Sequence, residues 1–68
     1  MQATAILTPA DEGGFVAFNP ETGTASQGES IEEALANLRE AVELFLEEFP
    51  IKSPGASFVT TFDVPENA

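Results

Sequence analysis

The chain has 68 residues, with twelve acidic side chains against two basic ones and a formal net charge of −10 at pH 7. A chain of this length supports a single domain, residues 1–68, whose core is too small for a wide margin of stability. Cysteine and histidine are absent, which excludes disulfide bridges and the usual zinc ligands. Because self-association is the remaining common source of stability, we expect a homodimer or a higher homo-oligomer.

The acidic balance also limits the choice of partner. Nucleic acids are bound through Lys and Arg, so we expect no direct contact with DNA or RNA. The negative field instead favours a basic protein partner, although such a charge also serves solubility alone. The amino terminus has no secretory pattern and no apolar stretch is long enough to span a bilayer, so we expect a cytoplasmic protein without a membrane partner.

Two strands and a hairpin loop are predicted at the start of the chain. Residues Gln2 to Thr8 are short, β-branched or aliphatic and end at Pro9, which fits a first strand. Turn formers occupy residues 10–14. The segment from Phe15 to Phe18 is apolar without alternation, which predicts a second strand that is covered on both faces.

The two phenylalanines of this second strand are predicted to point to opposite faces of the sheet. A helix can cover only one face, so either Phe15 or Phe18 belongs to the helix-packed core. The other is a candidate for self-association, because a second subunit would then cover the remaining face.

A third strand and a long helix follow. A turn signal at 19–23 precedes Thr24 to Gly28, a short polar strand that suits a sheet edge. Ser30 is a good N-cap, and Glu33 completes a capping box for a helix that runs to Phe49. Apolar residues recur at spacings of three and four and predict a stripe that faces the sheet. The stripe consists of Ile31, Leu35, Leu38, Val42, Phe45 and Phe49.

The last predicted element is a fourth strand. Residues 51–57 are expected to form a loop, and residues 58–64 alternate in polarity up to Pro65. The chain is therefore predicted to be a two-layer α+β unit of order β-β-β-α-β, with one helix on a mainly antiparallel sheet. If the last strand lies parallel to the first, the crossover should be right-handed.

The face of the helix opposite the stripe is anionic and is the predicted partner-binding surface. Exposure to solvent alone is sufficient to explain these carboxylates. The more specific hypothesis is that they take the place of phosphates in the basic site of a nucleic acid enzyme. Leu44 lies about 140° from Ile31, either as a tolerated exposed leucine or as an interface anchor. The candidate partner-binding residues are Asp11, Glu40, Glu43, Leu44 and Glu47.

Few residue types that carry out catalysis are present. Without His, Cys, a phosphate-binding loop or a Walker lysine, we expect no catalytic residues, no bound cofactor and no metal. Carboxylate chemistry leaves one enzymatic alternative, a metal-dependent nuclease. Its acids would be Asp11, Glu12, Glu21, Glu29 and Asp63, although turns and the helix dipole give most of them ordinary structural roles.

Three segments resemble the HicB antitoxin family in their order and spacing: DEGGFVAFNPE, SQGESIEEALANLREAVELFLEE and FVTTFDV. The resemblance covers nearly the whole chain and implies a reduced ribonuclease H-like sheet. Proteins similar to this one neutralise HicA, a small basic messenger RNA interferase, by covering its active site. The resemblance therefore implies a type II antitoxin whose partner is a basic, HicA-like toxin.

Two departures from the family pattern bear on this resemblance. Residues 20–25 read Pro-Glu-Thr-Gly-Thr-Ala where the family commonly has Pro-Glu-Leu-Pro-Gly-Cys, which affects the second hairpin and any toxin contact there. The sequence ends at Ala68 without the family's frequent DNA-binding domain, so operator binding is expected to be absent or delegated to another protein. An orphan HicB-like oligomerisation or protein-interaction module is the alternative function.

Overall fold

The computed structural model describes residues 2–51 and 58–66. Three strands are followed by one helix within these ranges: β1 (Ile6–Pro9), β2 (Phe15–Asn19), β3 (Thr24–Gly28) and α1 (Ile31–Glu48). The strands form an antiparallel sheet in the order β1-β2-β3, and α1 packs mainly on β3 and β2. The predicted α+β class is confirmed, and β3 is an edge strand as its polarity indicated.

Both hairpin turns form where glycine permits a positive φ angle. In the first turn, the Ala10 N–H donates to the Gly14 carbonyl at 3.0 Å, and Gly13 and Gly14 have φ angles of 100° and 77°. In the second, the Gly23 N–H donates to the Asn19 carbonyl at 2.9 Å, and Gly23 has a φ of 76°. Such angles are strained for residues with a Cβ, so these glycines fix where the strands reverse.

The start of α1 follows the predicted capping box, with one variation. The Glu33 N–H donates to the Ser30 hydroxyl at 3.1 Å, which satisfies one of the free donors of the first turn. The Glu33 carboxylate accepts from the N–H of Glu29 at 3.0 Å, one residue before the N-cap. The first turn is therefore closed by side chains from both sides.

The helix lies unusually close to β3 because the residues at their contact are small. A Cβ built on Gly28 would come within 2.4 Å of the Ala34 nitrogen and 2.8 Å of the Glu33 carbonyl carbon. Ala17 and Ala34 are fully buried and form the described core together with Leu38 and Val42. The core is small, as the length of the chain predicts.

The buried side of α1 differs from the predicted stripe. Leu38 and Val42 are buried as expected, but Ala34 completes the buried line, whereas Ile31, Leu35 and Phe49 are exposed. The physical reason is the close approach of α1 to β3 at Gly28, which turns the side of the helix that carries Ala34 towards β3. Phe45 and Phe49 stack at the end of the helix with ring centroids 5.1 Å apart.

The two phenylalanines of β2 point to opposite faces, as predicted. Phe15 packs against the core under the helix, and Phe18 is 39% exposed on the other face. On this outer face Phe18 lies between Ile6 and Ala25, and Val16 lies between Thr8 and Gln27. The face is therefore apolar around Phe18 and becomes polar on both sides of Val16. No described residue covers this face, so the described part of the chain covers β2 on the helix side only.

The predicted fourth strand is wrong for the single chain. Residues 58–66 form no strand, and Phe58 and Phe62 are 92% and 84% exposed. An alternating segment becomes a strand only when another edge pairs with its N–H and C=O groups, and none of the three described strands pairs with this segment. The crossover whose handedness was predicted therefore does not form, and the predicted loop lies, apart from Ile51, outside the described residues.

The β1 strand is shorter than predicted. It begins at Ile6 rather than Gln2, although it ends as expected at Pro9. Residues 2–5 precede the strand, and Thr4 among them is held by hydrogen bonds to side chains, as described below.

Replacement of Gly28 by alanine should test the close contact between β3 and α1. The added methyl group would meet backbone atoms that cannot rotate away, so we expect Gly28→Ala to reduce the free energy of unfolding by about 2 kcal/mol or more. Urea denaturation followed by circular dichroism measures the change. Gln27→Ala, on the opposite face of the same strand, is the control and should change stability by less than about 0.5 kcal/mol. Equal effects of the two variants would contradict the proposed contact.

Candidate protein-binding site

A ridge of carboxylates runs along the outside of α1. Glu33, Glu40 and Glu47 are all exposed and follow one another at intervals of seven residues, which is about 10.5 Å along a helix. We call these three residues the acidic ridge. At this spacing each carboxylate can accept from a different basic side chain of a partner, and the three do not converge on one point.

Two other predicted partner-binding residues lie on the flanks of the acidic ridge. Glu43 pairs with Arg39 at 3.2 Å, and both side chains are largely exposed, at 66% and 84%. Such an exposed i,i+4 pair is worth only about 0.3–0.5 kcal/mol, so it leaves Glu43 available. Leu44 is 59% exposed on the other flank, as predicted.

Asp11 lies at the start of the acidic ridge, in the first hairpin turn. Together with Glu12, Glu29 and Glu33 it lines a concave site of about 600 Å³ beside the helix N-terminus. The structure therefore brings Asp11 together with Glu33, and not with Glu40 and Glu47 further along the helix.

The five acids considered for nuclease chemistry do not share one location. Asp11, Glu12 and Glu29 line the concave site, Glu21 lies in the second hairpin turn, and Asp63 lies in the segment 58–66. No group of three acidic residues that could hold a metal ion occurs among the described residues.

An apolar groove lies between α1 and the beginning of the chain, and sequence analysis missed it. Its volume is about 400 Å³. The groove is lined by Ala3, Thr4, Ala5, Asn19, Leu35, Leu38, Arg39, Val42, Glu43 and Leu46. The apolar character of Leu46, outside the predicted stripe, is the one signal in the sequence that pointed to a second apolar side of the helix.

A polar network holds one wall of the apolar groove. Asn19 is fully buried, and its side-chain amide donates to the Thr4 carbonyl at 2.8 Å and to the Glu21 carboxylate at 2.6 Å. The same carboxylate accepts from the Thr4 N–H at 2.8 Å and the Thr4 hydroxyl at 2.7 Å. The side-chain oxygen of Asn19, Oδ1, accepts from the N–H and the hydroxyl of Thr22. This network ties the chain before β1 to the turn between β2 and β3, at the position where the sequence departs from the HicB pattern.

Asn37 has an intramolecular role that explains its position in the middle of the helix. Its side-chain amide donates to the Gln27 carbonyl at 2.7 Å. Gln27 lies in the edge strand β3, so this bond occupies a carbonyl on the edge of the sheet.

Comparison with known proteins places the chain in a family. A model for a family of unknown function, DUF7387, matches residues 2–55. The chain belongs to this family. No solved structure matches it.

The curated relatives are UPF0150 proteins. The chain is 57% identical over 37 residues to one from Helicobacter pylori strain J99, covering 53% of this chain and 51% of the relative. It is 42% identical over 48 residues to one from Synechocystis sp. PCC 6803, covering 69% of this chain and 67% of the relative. A second Synechocystis UPF0150 protein is 44% identical over 45 residues, covering 65% of this chain and 57% of the relative. The chain thus spans between half and two thirds of the length of these relatives.

The described part of the chain contains no helix with the length and hydropathy needed to cross a membrane.

Replacement of Asn19 by alanine should test the polar network. The variant would remove four hydrogen bonds that the buried Asn19 side chain makes to partly buried groups, so we expect a loss of about 2–3 kcal/mol in the free energy of unfolding. Asn37→Ala is the matched control, since it removes one exposed hydrogen bond and gains helix propensity, and should change stability by less than about 1 kcal/mol. Both changes are measured by urea denaturation, and a similar loss in both variants would argue against the network.

Proposed function

We propose that this protein is an antitoxin of the HicB type, which binds a basic, HicA-like messenger RNA interferase and covers its active site. The observation that carries the proposal is the acidic ridge. Exposed carboxylates at regular intervals match a surface that normally binds the phosphates of RNA, because both offer anionic oxygens to Lys and Arg.

The composition and the relatives support this proposal. The chain carries a net charge of −10, and Arg39 and Lys52 are its only basic side chains. Arg39 lies beside Glu43 rather than on the acidic ridge, so the basic side chain that the structure describes does not pair with the ridge. UPF0150 is a HicB-related family, which agrees with the resemblance of the three sequence segments.

The proposed binding should depend on charge more than on buried apolar area. Charges at the rim of an interface mainly accelerate association, and their effect falls as ionic strength rises. The complex should therefore form fastest at low salt. A toxin covered in this way would lose access to its messenger RNA substrate.

Neutralisation of the acidic ridge should slow association with the toxin. We expect Glu40→Gln/Glu47→Gln to lower the association rate constant about tenfold at low salt, because two steering charges are lost. The proposal expects the partner to be a short basic protein encoded beside this one, and surface plasmon resonance with that protein measures the rate over a range of salt concentrations. The difference between variant and unmodified protein should shrink as salt is added.

The matched control is Asp63→Asn/Glu66→Gln, which changes the net charge equally at two exposed positions outside the helix and the concave site. It should slow association much less than the ridge variant. Co-expression that yields neither a complex nor relief of toxicity would refute the antitoxin proposal.

An orphan oligomerisation or interaction module is the second candidate, and the exposed outer face of the sheet favours it. Ile6, Val16 and Phe18 give that face an apolar surface. A partner captured by this face would stay bound at high salt and be lost in Phe18→Ser, whereas a partner of the acidic ridge would dissociate as salt rises and be lost in the Glu40 and Glu47 variant. This comparison separates the two candidates.

A further inference from the structure

We propose that residues 58–64 of one copy add as a fourth strand to the free edge of β1 in a second copy, with their aromatic side chains in the apolar groove. This inference concerns a contact between two copies of the chain and does not depend on the proposed toxin.

The segment has the pattern of a strand that lacks an edge to pair with. Phe58, Thr60, Phe62 and Val64 alternate with Val59, Thr61 and Asp63, so one side of an extended segment would be mostly apolar. Phe58 and Phe62 are almost fully exposed, and Val59 and Val64 are about two thirds exposed. Apolar side chains of this size in one short segment indicate a surface that is buried in an assembly.

The outer edge of β1 is available for such pairing. The Ala10 N–H donates to Gly14, and the Thr4 N–H donates to the carboxylate of Glu21, so the even-numbered residues direct their backbone groups towards β2. Alternate residues of a strand use opposite edges. Ala5 and Leu7 therefore direct their N–H and C=O groups outward, and Pro9, which has no N–H, is tolerated at this edge.

The opposite edge of the sheet is already partly used. Asn37 donates to the Gln27 carbonyl on β3, and α1 packs closely against this strand. Natural sheets commonly protect an edge by covering it in this way. An added strand would thus meet a guarded edge at β3 and an open one at β1.

The apolar groove lies beside the open edge and is suited to the side chains of the segment. Its walls include Ala3 and Ala5 from the β1 side and Leu35, Leu38 and Leu46 from the helix. A strand hydrogen-bonded to Ala5 and Leu7 would place every second side chain on the helix side of the sheet. Phe58 and Phe62 would then extend the small core formed by Ala17, Leu38 and Val42.

The second copy, rather than the same chain, is the source of the strand. The chain's own segment is described and its phenylalanines lie clear of the groove in solvent. Each copy has one segment and one groove, so two copies satisfy each other reciprocally, as in closed twofold dimers. Charge repulsion between the copies is small at this contact, because the segment carries a single charge, Asp63, within a chain of net charge −10.

Cross-linking between two single-cysteine variants tests the inference. The chain has no cysteine, so Ala3→Cys places a thiol in the groove and Thr60→Cys places one in the segment. The two variants, one of them tagged, are co-expressed and treated with a short bifunctional maleimide that tolerates small differences in register. We expect a covalent product of two different chains, identified by mass spectrometry.

Ala36→Cys, on the exposed outer side of α1, replaces Ala3→Cys as the control and should give no product with Thr60→Cys. Absence of the product from the Ala3 and Thr60 pair would overturn the inference. A double variant Ala3→Cys/Thr60→Cys that cross-links only within one chain would also overturn it, because the strand would then come from the same copy.

A second measurement uses the aromatic side chains directly. Phe58→Ser/Phe62→Ser should abolish the cross-link between Ala3→Cys and Thr60→Cys while the helical circular dichroism signal is retained. Leu44→Ser, which removes an exposed apolar side chain outside the groove, should leave the cross-link intact. Unchanged cross-linking in the double serine variant would contradict a role for the groove.

Discussion

The close contact between β3 and α1 determines how the rest of the molecule is arranged. Gly28 leaves no room for a Cβ opposite Ala34, and Ala17 and Ala34 are fully buried around this contact. Because the helix is drawn towards β3, its buried line runs through Ala34, Leu38 and Val42. The part of the sheet beside β1 then remains uncovered, and the side of the helix with Leu35 and Leu46 forms the wall of an apolar groove.

Because α1 packs towards β3, the two edges of the sheet differ in how well they are covered. On the β3 side, Asn37 reaches the Gln27 carbonyl and protects the edge. On the β1 side, the network of Asn19, Glu21 and Thr4 fixes the chain before the strand, so the groove and the edge are formed before any partner arrives. A preformed site lowers the entropic cost of binding, because the groove does not have to become ordered when a strand binds.

Local signals in the sequence were sufficient for the turns, the capping box at Ser30, the edge character of β3 and the opposite orientations of Phe15 and Phe18. Each of these depends on neighbouring residues and on the period of the element. The exact buried line of α1 could not be predicted, because it depends on the contact of Gly28 with a residue six positions away in another element. The prediction of a fourth strand was wrong for a related reason. Alternating polarity shows that a segment can pair as a strand, but it does not show which sheet edge the segment pairs with.

The positions of charge and apolar surface allow both proposed associations at once. At about 100° per residue, Glu40 lies roughly 120–140° around the helix axis from Leu35 and Leu46, so the acidic ridge and the apolar groove occupy different sides of α1. Two chains of charge −10 repel each other least where few carboxylates meet, and the segment 58–64 contributes only one. Association of copies through the groove would keep the ridges outward and increase the negative field that attracts a basic protein. Self-association through the groove would therefore leave Glu40 and Glu47 open to a basic partner, and it would cover Glu43, which lines the groove.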